Sequence, residues 1–353
     1  MKHRVLATGL ILVLAAVLGL PPAGGLASAM PAHGGPPETT IHAPPPPGAD
    51  AQGWTSGWVD IDPGQTLTLT HNLGGAVEDY LVQMWFLDLP AGGYGIHIFG
   101  YGGIEAAGAY YGAYWQNLTS TTIQIVRLAD DTTADRVRVW IWTPRLTEQQ
   151  CSEWSGIDQG NFYTFFHDMG GDADDYSVLL WLKDTGGRIH HQGYGGLEVA
   201  GERRGAYWRS LDTQWVSAYR YTHDPYVDQV RLCVSVPKDP PVYDSNWWPI
   251  APGTTLTLTH NVGGSVNGYI VDVEFKDPEG QLAVHQAGLG GDFLDPPRAV
   301  AATAEHGAHW QRLTDTTIQV VRQQYDPYVD QVRVRIWQRK VQVFLPLVLK
   351  DYP

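Results

Sequence analysis

Positive charge is scarce in this chain. Lys and Arg number 23 against 37 Asp and Glu, the formal net charge is −14, and no basic cluster relieves it. Such a surface repels phosphate backbones, so nucleic acid is excluded as the expected partner. Helical periodicity is also missing: no stretch keeps apolar residues at the three-and-four spacing over three turns. After the N-terminal segment no run is long and apolar enough to span a bilayer. Methionine is rare, at four residues, whereas 40 Gly, 14 Trp and 18 Tyr describe a turn-rich, aromatic-rich chain that points to β structure.

Residues 1–29 read as a signal peptide. Lys2, His3 and Arg4 give a basic start, "VLATGLILVLAAVLGL" an apolar run, and Ala27-Ser28-Ala29 a small-residue cleavage site. A membrane anchor would need about 20 apolar residues, and Pro21-Pro22 with Gly24-Gly25 cut the run short. The mature chain is expected to begin near Met30 and to be secreted, extracellular or attached to the cell surface. Residues 30–52, with "APPPPGADA", form an extended spacer that cannot build a core.

A length of 353 residues suggests two or three domains, and self-comparison chooses three. A His followed by Asn or Asp, one apolar residue and Gly-Gly stands at 71, 167 and 260. "GAYWQNL" at 112–118 returns as "GAYWRSL" at 205–211 and "GAHWQRL" at 307–313. "DRVRVWIW" at 135–142 returns as "DQVRLCVS" at 228–235 and "DQVRVRIW" at 330–337. The order of markers is kept, which gives modules at 53–143, 151–236 and 243–338, each large enough for its own core. Within them the period is two: Leu67 and Leu69 share one face and Thr66, Thr68 and Thr70 the other, while Val137, Val139 and Ile141 alternate with Arg138, Trp140 and Trp142. "SGWVDI", "DYLVQMWFLD", "GIHIFGYG" and "TTIQIVRL" read as further strands between Gly, Pro and Asp turns. The expected fold is all-β, with three tandem antiparallel β-sandwich modules of about 90–100 residues.

A module that opens "SGWVDI" and closes "VRVWIW" resembles the H-type lectin family, also found at the C terminus of discoidins. The resemblance implies six-stranded sandwiches, threefold association and sites for N-acetylgalactosamine-type sugars near subunit interfaces. It also implies that three linked copies close into an intramolecular pseudo-trimer. "LTLTHNLGG" and "YDPYVDQVR" depart from that family, so none of its sugar contacts carries over residue by residue.

Three recurring constellations are candidates for function. His71, His167 and His260 lack a serine, cysteine or acid fixed beside them in all copies, so a catalytic role is not expected. The favoured reading is a strand end hydrogen-bonded across a Gly-Gly turn, with ligand contact and metal ligation as alternatives. Arg127, Asp131 and Asp135 recur as Arg220, Asp224 and Asp228, and as Arg322, Asp326 and Asp330. Arg127 follows Ile123 and Ile125 at even spacing and so leaves on the core face, where its charge needs a partner. A loop-pinning ion pair is favoured, with calcium at the paired acids and sugar contact as alternatives. The glycine-aromatic loops at 100–115, 193–208 and 287–310 join aromatic faces to polar groups, which suits sugars, with Tyr101, Tyr114 and Trp115 as hydrophobic plugs at a sandwich end as the alternative. The expected ligand-binding set is therefore Tyr101, Trp115, Arg127, Asp131, Tyr194, Trp208, Arg220, Asp224, Trp310, Arg322 and Asp326, with no catalytic residue and no metal ligand.

Cys151 and Cys233, 82 residues apart, form a lone pair that reads as a disulfide in an exported protein and sets the first and last strands of the second module side by side. In the chain-entropy model it stabilises by at most about 4–5 kcal/mol. The tail at 339–353 carries "FLPLVL", which resembles the "LPLVL" endings of exported bacterial proteins and otherwise reads as one more strand. Together these features lead to the expectation of a non-catalytic binder of glycans or cell surfaces, whose repeated weak sites add through avidity. The alternative is a structural component of an extracellular sheath or cell envelope.

Overall fold

A computed structural model of the chain describes residues 39–41, 53–90, 93–106, 109–143, 146–199, 202–280, 282–294 and 304–338, all within one compact unit. The signal peptide, most of the spacer and the tail lie outside the described residues. Apart from three single 3-10 turns, Val77–Asp79, Ala173–Asp175 and Val266–Gly268, the regular elements are strands, and their sheets group three times over.

In the first group Gly53–Thr55 and Val59–Asp60 pair end to end with Arg136–Trp142, which pairs with Leu81–Leu87 and through it with Ile96–His97. Thr66–Thr70, Thr122–Arg127 and Ala113–Gln116 form the facing three-stranded sheet, and Ile104–Ala106 with Ala109–Tyr111 a hairpin. The same plan recurs in the second and third groups. The alternation read from the sequence is what fills the space between the two sheets: Leu67, Leu69, Ile123, Ile125, Val137, Val139 and Ile141 are all fully buried. The disulfide forms where it was expected, with Cys151 and Cys233 opposite each other on the antiparallel strands Leu146–Cys151 and Gln229–Pro237.

The groups do not hang as separate beads. His190 of the second bridges to Gln116 of the first, so one module's small sheet runs on into the next module's large one. The other junctions repeat this through backbone hydrogen bonds: Gln286 N to Trp208 O (3.1 Å) and Leu211 N to Val284 O (3.3 Å), then Ile98 N to Trp310 O (3.2 Å) and Leu313 N to Ile96 O (3.3 Å). The third module therefore closes on the first, and six sheet edges that would otherwise lie open are joined in pairs.

At the centre of this ring Gly193 N donates to Gly102 O (2.8 Å), Gly288 N to Gly195 O (2.7 Å) and Gly100 N to Gly290 O (2.8 Å). Gly102, Gly195 and Gly290 have left-handed φ of +87, +86 and +93, and a Cβ on each would lie 2.7–2.9 Å from the backbone of Tyr194, Leu289 and Tyr101 respectively. Only glycine permits both the backbone angle and the approach of the next module. Gly195→Ala is expected to lower stability by more than Gly187→Ala, whose φ is +79 but whose Cβ would meet nothing within 4 Å. Backbone strain of about 1 kcal/mol applies to both and only the first adds a clash, so urea midpoints of the two variants isolate the closure.

Candidate functional site

Placement of the expected ligand residues follows from the ring. Trp115, Trp208 and Trp310 are at most 1 % exposed, and Tyr101 and Tyr194 are also buried. Strands with apolar inner faces carry them, but their second face is covered by the neighbouring module. At the junction of the first and second modules Trp115 Nε1 donates to Tyr101 Oη (3.1 Å), which lies 2.6 Å from His191 Nδ1, and Trp181 meets Trp115 edge-on. At the next junction Tyr194 Oη and Trp208 Nε1 both donate to Gln286 Oε1 (2.6 and 2.8 Å). At the last the counterparts are Leu289 and Ile98, with Trp310 edge-on to Trp85. Burial holds the Tyr101 and Tyr194 hydroxyls well above, and the His191 imidazole well below, their ordinary ranges. These five aromatics are mortar between modules and present no surface to a ligand.

The Arg and Asp residues are equally occupied. Arg127 Nε donates to Asp131 Oδ2 (2.7 Å), Nη1 to Ile61 O (2.7 Å) and Nη2 to Asp131 O (3.0 Å). Asp131 also accepts from the backbone of Gly112, Thr133 and Ala134. Arg220 with Asp224 and Arg322 with Asp326 repeat the pattern. The ion pair pins the loop, and the guanidinium fills the place a cation would take between Asp131 and Asp135. Among the described residues no group of three His, Cys, Asp or Glu side chains is arranged to hold a metal.

The motif histidines end strands. Asn72, Asp168 and Asn261 take left-handed φ of 51, 45 and 48, and the Nδ1 of His71, His167 and His260 accepts the N–H two residues on. A second set, which the repeat markers do not single out, is His97, His190 and His285, three residues before Gly100, Gly193 and Gly288. Each accepts at Nδ1 from a backbone N–H (3.0–3.1 Å) and donates from Nε2 to a carbonyl of the following loop, Thr133, Tyr226 or Tyr328 (2.9–3.0 Å). Its signal was the shared "HIFGYGG", "HHQGYGG" and "HQAGLGG".

Among the described residues, two places join aromatic rings to solvent. A shallow cleft lies between the second and third modules, lined by Tyr221, Tyr328, His306 and Asp326, with Gly196 packed beneath the Tyr221 ring. The outer face of the three-stranded sheet in the second module carries Phe162, Phe166 and Trp215, exposed by 56, 69 and 42 %. Tyr219 connects them, with rings 4.7 Å from Phe162 and 5.3 Å from Tyr221. The chain matches no family model, no curated protein and no solved structure, so its own geometry carries the functional reading.

Proposed function

We propose that this is an exported, non-catalytic carbohydrate-binding protein with a shallow contact site at the seam of its second and third modules. The cleft carries this reading: the half-buried Tyr328 and His306 bring ring faces and polar atoms together at its rim, the combination that suits a sugar's C–H faces and hydroxyls. The resemblance to H-type lectins supports it, since sandwich modules in threes with sites between them are what that family leads one to expect. Export rests on the N-terminal signal.

Tyr328→Ala combined with His306→Ala is expected to weaken binding on a glycan array by about tenfold or more, roughly 1.4 kcal/mol, with the fold intact by circular dichroism. A wild-type array that is silent with and without calcium would sink the reading. A sheath or envelope component is the second reading, favoured by one edge. Thr66–Thr70 carries the parallel strand Thr39–Ile41 on its outer side, whereas Thr255–Thr259, of identical sequence, has no strand there among the described residues. Array silence together with assembly of the purified chain would select that reading.

A further inference from the structure

The three modules differ in the character of one sheet face. In the second module Phe162 lies opposite Tyr219, Thr164 opposite Ser217 and Phe166 opposite Trp215. The corresponding outward pairs are Thr66 with Val126, Thr68 with Gln124 and Thr70 with Thr122 in the first module, and Thr255 with Val321, Thr257 with Gln319 and Thr259 with Thr317 in the third. Two polar faces and one aromatic face therefore stand on the same backbone. The core does not demand the aromatics: it is filled by Tyr163, Phe165, Val216 and Ala218 from the other side of these strands.

We infer that this face is a second binding site, for a linear glycan lying across the strands' outward aromatics. The rows alternate in character. Phe162 and Tyr219 form one aromatic station and Phe166 and Trp215, with rings 6.0 Å apart, the other. Between them Thr164 Oγ1 and Ser217 Oγ are 2.9 Å apart, and Arg209, beside Ser217 in register, sets its guanidinium 5.2 Å from the Phe162 ring at the first station. Four strand residues separate the stations, about 13 Å at 3.3 Å per residue. One sugar ring cannot cover both, whereas a chain of them offers apolar C–H faces at each station and hydroxyls to the row between. A protein partner fits less well: three strands of five residues make a face of about 200 Å², against about 800 Å² per partner in a stable interface. The strands keep the rings in fixed positions, so little order is lost on binding.

The proposal rests on the carbohydrate reading but not on the cleft. Its test is calorimetric titration of the full chain with β-1,4-linked glucose and N-acetylglucosamine oligomers of one to six units. Affinity is expected to rise about tenfold or more between the dimer and the hexamer. Phe166→Thr with Trp215→Thr, which installs what the sister modules already carry on the same backbone, should abolish that rise and leave the thermal midpoint nearly unchanged. In Tyr328→Ala the hexamer should still bind. Affinity independent of length, a length dependence that survives the double substitution, or no binding across the panel overturns the proposal. Concentration-dependent pairing of the chain that vanishes in the double variant also overturns it and assigns the face to a second copy. Sugar binding lost in Tyr328→Ala but blind to oligomer length upholds the cleft and removes this face; the reverse result upholds the face and removes the cleft.

Discussion

Lowering the pH from 7 to 5 is expected to remove several kcal/mol of stability, an appreciable share of the roughly 5–15 kcal/mol typical of a folded domain. Eight histidines have imidazoles held below the ordinary 6.5, with burial as the first cause in every case: His71, His97, His167, His190, His191, His260, His285 and His309. Burial lowers His97 to about 4 and both His285 and His309 to about 3. The unfolded chain therefore takes up protons that the folded one refuses, and stability falls as pH drops below about 6.5, levelling only near the folded values. Each of these three contributes about 2 kcal/mol of loss by pH 5. At His97 and His285 a second ring proton would point straight at the N–H already bonded to Nδ1.

Glu274 opposes them. Burial pushes its carboxyl up to about 8 despite Arg335 2.8 Å away, so folding is helped by its proton as pH falls toward 4.5. That gain comes from one carboxyl and is outweighed by about 6 kcal/mol lost at the three histidines. Urea denaturation at pH 7, 6 and 5 measures the balance; a midpoint that stays level or rises on acidification contradicts it.

Asp131→Ala is expected to destabilise by about 3–5 kcal/mol, because Arg127 would keep its charge in a 4 % exposed site with its Nε partner gone. The N–H groups of Gly112 and Ala134 lose their acceptor in the same step. Asp131→Asn keeps an oxygen for those amides and should fall between the variant and the wild type. At a temperature where the variant is folded, sugar binding should match the wild type. Weakened binding at unchanged stability would return the Arg and Asp residues to the ligand site.

Much of the fold was legible because it is local. Leu67 and Leu69 announce their buried face by alternation, Arg127 its inward direction by even spacing, and Cys151 and Cys233 the pairing of first and last strands. Trp115, Trp208 and Trp310 misled because period-two reasoning describes a strand within its own module, and their second face is buried by another one. The site was harder for a different reason. Comparing copies for what they share leads to the ion pairs and glycines that every module needs in order to fold. Phe162, Phe166 and Trp215 stand where the copies disagree, and their exposure is visible only once the sheet gives them a common face.

The unlike junctions, Tyr101 with His191, Tyr194 with Gln286 and Leu289 with Ile98, have a consequence for how such a molecule changes over time. In an assembly of three identical chains every substitution arrives in triplicate, so an exposed tryptophan is a threefold solubility burden and an interface residue must suit all three seams at once. Joining the copies in one polypeptide releases each from the others. A Tyr at one seam needs an acceptor only at that seam, and a single module can acquire an adhesive face while its two sisters stay coated in threonine.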